Sequence, residues 1–520
     1  MSDFTRRQVV VGAAEAAALC ALPSIARAAT PSGLALRWEE WAQHDALGLA
    51  ALVRNKQLKP RELVQQAAAG IGALNPKLNA VIEVFADRVD GLDESALADG
   101  PFRGVPFAWK DLGAGEKGRL QESGSRLLAG FRIPQDAVIA QRVLRGGLVP
   151  IARTTTPEFG FTMQTESSLT GVTRNPWSLG HTPGGSSGGA AALVAAGILP
   201  MAHASDGGGS IRIPASFCGN VGLKTSRGMV TLAPDADHLI ASIVCELVNS
   251  RSVRDTAAAL DLMFGAAPGE AFPFPKPERP FLEEVGRPSG KLRIAVASGA
   301  FGRVTPTPEI TAETNRVAKL LEGMGHHVEL RAPAIDNDAY LKAFITIWIA
   351  GAGGQVAGIE ATTGRKGGPD NLEPIVWLAV QAARKMSALE YSGALATQSA
   401  TSRALGAFFE SCDVLLTPTV ARPTPEVGSR ATLMQTDLAL DAWFDGVLQI
   451  VPYTPLCNFT GVPAISLPLA QLGSGAAAMP LGMHFIAPIG EDVRLIRLAA
   501  ELEAAAPWKD RRPPVHVTRM

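Results

Sequence analysis

Cysteine is scarce in this chain: five residues in 520, Cys20, Cys218, Cys245, Cys412 and Cys457. None forms C-x-x-C, which excludes a zinc knuckle and a thioredoxin-type site, and the spacing gives no disulfide framework. Single buried thiols are the expected state. Charge is also sparse, at 19% of residues. With 48 Lys+Arg against 49 Asp+Glu, the net charge of −1 excludes a basic nucleic-acid surface and an acidic disordered tail. G-x-G-x-x-G and G-x-x-x-x-G-K-[ST] are absent in proper context, as are H-E-x-x-H and any internal repeat. Past the N-terminus, no apolar run approaches the ~20 residues that span a bilayer. Glycine and proline are plentiful instead, together 90 residues. That usage predicts many tight turns or a site lined by backbone. Hydrophobic residues make up 47%, enough to exclude disorder as the main state.

The first residues read Thr5-Arg6-Arg7-Gln8-Val9-Val10-Val11, then an Ala-rich apolar stretch to Ile25, then Ala26-Arg27-Ala28. This resembles a twin-arginine export signal with an A-x-A cleavage site. The expected organisation is a signal over 1–28, a lead-in linker over 29–37, one large domain over 38–510 and a tail over 511–520, with a periplasmic destination.

Strand and helix patterns interleave, so the fold class is α/β. Helices are expected over Asp45–Lys56, with Asp45 as N-cap, and from Pro60 to about Leu74, ended by Asn75-Pro76. Others are expected over Gln135–Leu144, Ser252–Phe264, Pro308–Met324 and Asp492–Ala505, the last capped by Asp492. Strands are expected at Ala80–Val84, at the start of Gly104–Leu112, and at Leu148–Ala152, Leu292–Val296, His327–Leu330, Val414–Leu416 and Ala464–Leu467. The Pro-rich stretch Ala267–Gly290 reads as a loop.

Three segments carry chemistry. In Gly104-Val105-Pro106-Phe107-Ala108-Trp109-Lys110-Asp111, a lysine ends an apolar strand; the ordinary reading is a strand-end charge held in water. In Pro183-Gly184-Gly185-Ser186-Ser187-Gly188-Gly189, small residues run straight into the apolar helix Ala190–Gly197. Such a turn brings backbone close to something, and its rival is a phosphate cradle without the Walker lysine. The third is a strand, Ile198–Asp206, then Gly207-Gly208-Gly209-Ser210, then a helix from Ile211. It places Ser210 among glycine N–H groups, which suits a nucleophile beside an oxyanion hole and equally suits a capped helix start.

In these segments the chain resembles the amidase signature family. G-G-S-S-G-G at 184–189, D-G-G-G-S-I-R-I-P-A at 206–215 and a lysine ending a G-V-P-F strand carry the resemblance. It extends over roughly Trp38–Trp508 and includes Leu415–Thr419 and Asn458–Ala464. It implies one large domain with a central mixed β-sheet flanked by helices on both faces. It also implies a Ser–cis-Ser–Lys triad: Ser210 as nucleophile, Ser186 as the serine behind a cis peptide bond, Lys110 as general base. The N–H groups of Gly207, Gly208, Gly209 and Ser210 match the oxyanion hole. Asp206 and Arg212 match a structural ion pair, and Ser187 a residue that orients Lys110 or Ser186. A lysine acts as a base only when neutral, which burial favours; bases of this kind are tuned near pH 7–8. His181 and His203 lie near the segments but outside the implied triad.

Ser125–Phe131, Thr173–Trp177 and Ala202–Ser210 look most like the branch that hydrolyses 6-aminohexanoate cyclic dimers. Gly207, where Thr or Ile is common, and His484, where Gln is frequent, depart from the wider family. The implied activity is hydrolysis of small linear, cyclic or aryl amides through an acyl-enzyme. The alternatives are a carbamate or ester hydrolase, a transamidosome-type glutaminase subunit and, from another class, a Gly-rich anion-binding protein. No cofactor and no metal are expected, and no nucleic-acid partner or stable membrane span; a homodimer is one open assembly. Phe161–Thr165 and the Pro-rich region near Phe272 are expected to line the site.

Overall fold

The computed structural model describes residues 34–234, 236, 240–270, 273–299, 303–428 and 438–520. The expected export signal and Phe272 lie outside the described residues.

Three strands form a small sheet: β1 (Val81–Val84), β2 (Pro106–Lys110) and β3 (Val149–Thr154), in the order β1-β3-β2. A larger sheet has eight: β4 (Met201–Asp206), β5 (Val221–Lys224), β6 (Cys245–Ser250), β7 (Arg293–Val296), β8 (His327–Leu330), β9 (Val414–Pro418), β10 (Ala464–Leu472) and β11 (Met479–Ile486). Their order is β8-β7-β9-β11-β10-β5-β6-β4. β8, β7 and β9 run parallel, and the remaining pairings are antiparallel. The sheet is therefore mixed, in a single domain of helices and strands. The lysine strand β2 belongs to the small sheet, parallel to β3 with Lys110 opposite Thr154. It packs across β4 of the large one. Apolar runs with no exposed face explain both: every residue of β2, β3 and β4 is buried, as strands covered on both sides must be.

Local chemistry sets several boundaries. Asp45 caps the helix Ala46–Arg54 by accepting from Gly48 N at 2.9 Å. Pro60 opens the next helix, and Glu62 reaches back to Lys59 N at 2.7 Å. That helix continues to Leu78, through the expected stop at Asn75-Pro76. Pro76 falls in the last turn, so the one i→i−4 bond that its missing N–H forfeits comes where the helix is about to end. Asn75 ties the helix to the start of β1: its Oδ1 accepts from Ala80 N and Val81 N, both at 2.8 Å. A second difference is at Asp492, the first helical residue of Asp492–Ala505 rather than its cap. Its carboxylate is buried and accepts from Ser226 N at 2.9 Å and Ser226 Oγ at 2.5 Å, so it fastens the loop after β5.

The helix Gly188–Ala195 is wholly buried. A Cβ at Gly189 would lie 2.4 Å from Thr155 Oγ1 and 2.7 Å from Ala80 O, so only glycine lets this helix approach the small sheet. The last ten residues also pack on the body: Val515 N donates to Pro176 O and Val517 N to Ala196 O.

Sequence patterning did not place the helices Asn337–Thr363, Pro374–Ala383, Ala388–Phe409 and Leu440–Ile450. Among the described residues, Asn337–Thr363 is long and apolar enough to cross a membrane by length and composition. It packs against both Pro374–Ala383 and Ala388–Phe409. With Leu440–Ile450 it builds an aromatic cluster from Trp348, Trp443, Phe444 and the loop residue Phe161.

Candidate active site

Three backbone features lie near one another: Lys110 Nζ contacts Ser186 Oγ, and the next N–H, that of Ser187, donates to Ser210 O at 3.3 Å. β2 ends in Lys110. The turn before Gly188–Ala195 holds Ser186, whose bond to Gly185 is cis. β4 ends in Asp206 and the glycine turn that leads to Ser210. All are buried: Lys110 is 1% exposed, Ser186 2% and Ser210 6%.

Lys110 Nζ lies 2.7 Å from Ser186 Oγ and 2.9 Å from Ser205 Oγ. Sequence reasoning did not single out Ser205, although its place just before Asp206 on a buried strand fixes which way it faces. Burial lowers the Lys110 pKa from 10.5 to about 7, against the opposing pull of Glu246 and Asp206. An ammonium stripped of water is costly, and two hydroxyls are poor compensation. Ser187, expected to orient Lys110 or Ser186, brackets Ser205, the residue whose hydroxyl meets Lys110: its Oγ donates to Ser205 O at 3.2 Å and accepts from Ser205 N at 3.3 Å. The cis link is packed from behind. Thr156 Oγ1 donates to Ser186 O at 3.0 Å, and Thr165 Oγ1 to Gly184 O at 2.8 Å.

The glycine turn hangs on Asp206. Its carboxylate accepts from Gly209 N at 2.7 Å and Ile211 N at 3.1 Å, and from Arg212 Nε and Nη2, each at 2.9 Å. Arg212, with no solvent exposure, also donates to Asn458 Oδ1 at 2.6 Å and His484 Nε2 at 3.0 Å. Burial opposes the Asp206 charge, yet Arg212 and Asn458 hold its carboxyl well below the usual range. His484 is pushed well below an ordinary histidine by burial and then by Arg212. It is a neutral acceptor, which is the chemistry an amide oxygen would supply at that position.

One member of the expected oxyanion hole is already engaged. The Gly209 N–H donates to Asp206 Oδ1 at 2.7 Å and so holds the turn. Gly209 has φ +132, and a Cβ there would sit 2.3 Å from Thr454 Oγ1. The amides of Gly207, Gly208 and Ser210 are the candidates that remain.

Ser210 and Gly208 lie at the edge of a cleft with about 460 Å³ of space between atoms, part of it open to solvent. Gly160, Phe161, Thr162 and Met163 line it together with Phe344, Trp348, Trp443 and Phe444. Gln164 and Thr165, expected beside them, back the cis link instead: a Cβ on Gly185 would meet Gln164 N at 2.8 Å. The two histidines near the motifs serve elsewhere. His203 is buried edge-on against Trp109, with ring centroids 5.2 Å apart, and its Nε2 is 3.4 Å from Glu246. His181 Nδ1 bonds Ser178 Oγ at 2.8 Å. Among the described residues, no group of three or more His, Cys, Asp or Glu could hold a metal ion.

A family model described as Amidase matches residues 62–496. The 6-aminohexanoate-cyclic-dimer hydrolase of Paenarthrobacter ureafaciens is 36% identical over 479 residues, covering 90% of this chain and 96% of that protein. A solved structure of 6-aminohexanoate cyclic dimer hydrolase complexed with substrate superposes with a TM-score of 0.85 at 35% identity, over 91% of this chain and 99% of that one. A bacterial aryl acylamidase of the amidase signature family gives 0.79 at 26% identity, over 90% and 99%.

Proposed function

Because the chain belongs to the amidase signature family, and is therefore a hydrolase of amide carbon–nitrogen bonds, we propose that it works through Ser210, Ser186 and Lys110 by way of an acyl-enzyme. The observation that carries this reading is the 2.7 Å contact of a buried, charge-averse Lys110 with Ser186. A serine hydroxyl becomes nucleophilic only as a base removes its proton. In the proposed cycle, Ser186 passes its proton to neutral Lys110 Nζ and takes the proton of Ser210. Ser210 Oγ bonds to the amide carbon, and the carbonyl π pair moves onto oxygen. The amides of Gly207, Gly208 and Ser210 would hold that oxyanion; one such donor is worth ~10²–10³ in rate. The relay then runs backwards. Lys110 protonates the leaving nitrogen through Ser186, the carbon–nitrogen bond breaks, and the amine departs. Water repeats the attack and frees the acid.

A fluorophosphonate probe tests the assignment. It should label Ser210 and stop turnover, and Ser210→Ala should lose both labelling and at least ~10³ in kcat with an unchanged circular dichroism spectrum. Turnover by Ser210→Ala near the parent rate would refute it.

A further inference from the structure

We propose that the cleft beside Ser210 selects amides that carry no charge on either side of the scissile bond and that bear a flat or straight apolar group, with Trp443 and Phe161 as the anchoring pair. The inference rests on the amide-hydrolase reading above and names the substrate class of that site.

The lining of the cleft is uncharged. Among the described residues, not one side chain bordering it bears a charge. The polar side chains are Ser210 and Thr162, together with the indole N–H of Trp348, which is turned inward to donate to Phe161 O at 3.3 Å. Thr162 Oγ1 is engaged too, donating to Gln164 O at 2.9 Å. An ammonium or carboxylate drawn into this space would lose its water and find no counter-charge, which is strongly unfavourable. The shape is as specific as the polarity. Phe161 and Trp443 are stacked, centroids 5.4 Å apart and planes 25° from parallel. Phe344 and Trp348 are stacked as well, at 5.6 Å and 29°. Phe444 meets Trp443 edge-on at 4.9 Å, which leaves the Trp443 ring little freedom. Packed on one another, these rings make a rigid apolar surface, and flat or extended apolar partners laid against what it leaves open gain without an ordering cost in the protein. The second pair also roofs the turn: a Cβ on Gly207 would touch Trp348 at 3.1 Å, and one on Gly208 would touch Phe344 at 3.3 Å.

The test uses the full chain and four amides of similar length: N-hexylhexanamide, N-benzyl-3-phenylpropanamide, N-hexyl-6-aminohexanamide and N-(5-carboxypentyl)hexanamide, with products followed by mass spectrometry. The two neutral amides should exceed each charged one by about 100-fold in kcat/KM, which corresponds to about 2.7 kcal/mol. Trp443→Ala should cost the benzyl substrate about tenfold, mainly in KM, and Trp443→Phe should restore most of it, with an unchanged circular dichroism spectrum in both. Charged and neutral amides hydrolysed within threefold of each other would overturn the inference and leave the hydrolase reading standing. Ser210 labelling without turnover of either neutral amide would overturn it as well. Absence of both labelling and turnover would instead remove the reading beneath it.

Discussion

Replacing Lys110 by methionine separates the cost of the base from its use. Lys110 titrates at about 7 in the fold against 10.5 when free, a span worth about 5 kcal/mol. The direction comes from proton counting. Below pH 7 both the folded and the unfolded chain carry the lysine proton, and the fold bears the full penalty. Between 7 and 10.5 only the unfolded chain holds it, so the penalty fades as pH rises; above 10.5 it is gone. Lys110→Met has no such titration. Relative to the variant, the parent should therefore gain about 3 kcal/mol of stability between pH 6.5 and 9.5. Two buried hydroxyls, Ser186 and Ser205, lose their partner in the variant, at about 1 kcal/mol each. That offset does not vary with pH, so the slope is the diagnostic quantity. Urea unfolding followed by tryptophan fluorescence at several pH values measures it, and a flat difference would refute the argument. The same proton governs rate. In the parent, log kcat/KM should climb with unit slope below pH 7 and level off above it; in Lys110→Met activity should be nearly lost. A parent profile flat from pH 5.5 to 8.5 would sink the role of the neutral amine.

Asp206→Asn should destabilise the fold by about 3–5 kcal/mol, because it strands a buried Arg212 and weakens the hold on the glycine turn; chemical denaturation within 1 kcal/mol of the parent would contradict this. Gly160→Ala should lower kcat/KM by about tenfold or more, since a methyl there would lie 3.0 Å from Ser186 Oγ at φ +65 and small misplacements of reacting groups are costly. Unchanged kcat/KM in a destabilised Gly160→Ala protein would show that the hydroxyl keeps its place.

Much of the α/β class was legible because local rules and burial agree. Asp45 caps as its side chain suggests, and β7, β9 and β10 are the buried runs their composition predicts. The mixed sheet was less legible. β5, β6 and β11 were not read as strands: β6 pairs with β4 from well upstream, whereas β11 closes a hairpin with its neighbour β10 but carries Pro480, Gly482 and His484, which interrupt its apolar run. The long helix Asn337–Thr363 is rich in Gly and Ala, and no clean apolar stripe marks it. At the candidate site, the Gly-Ser motifs put Ser186 and Ser210 forward and the G-V-P-F strand put Lys110 forward, but the contact of Ser205 with Lys110 depends on how β2 crosses β4. The aromatic wall was the least readable part: Trp348 and Trp443 stand alone in helices and gain meaning only once two distant segments meet.

The 3.1 Å gap between an added Cβ at Gly207 and the Trp348 indole ties those two positions together. A side chain at 207 and the indole at 348 press on one volume, and the indole must give by a few tenths of an ångström before even a methyl is seated. Grafting the commoner Thr or Ile into this turn therefore asks for a change at position 348 as well, so the two are best varied as a pair.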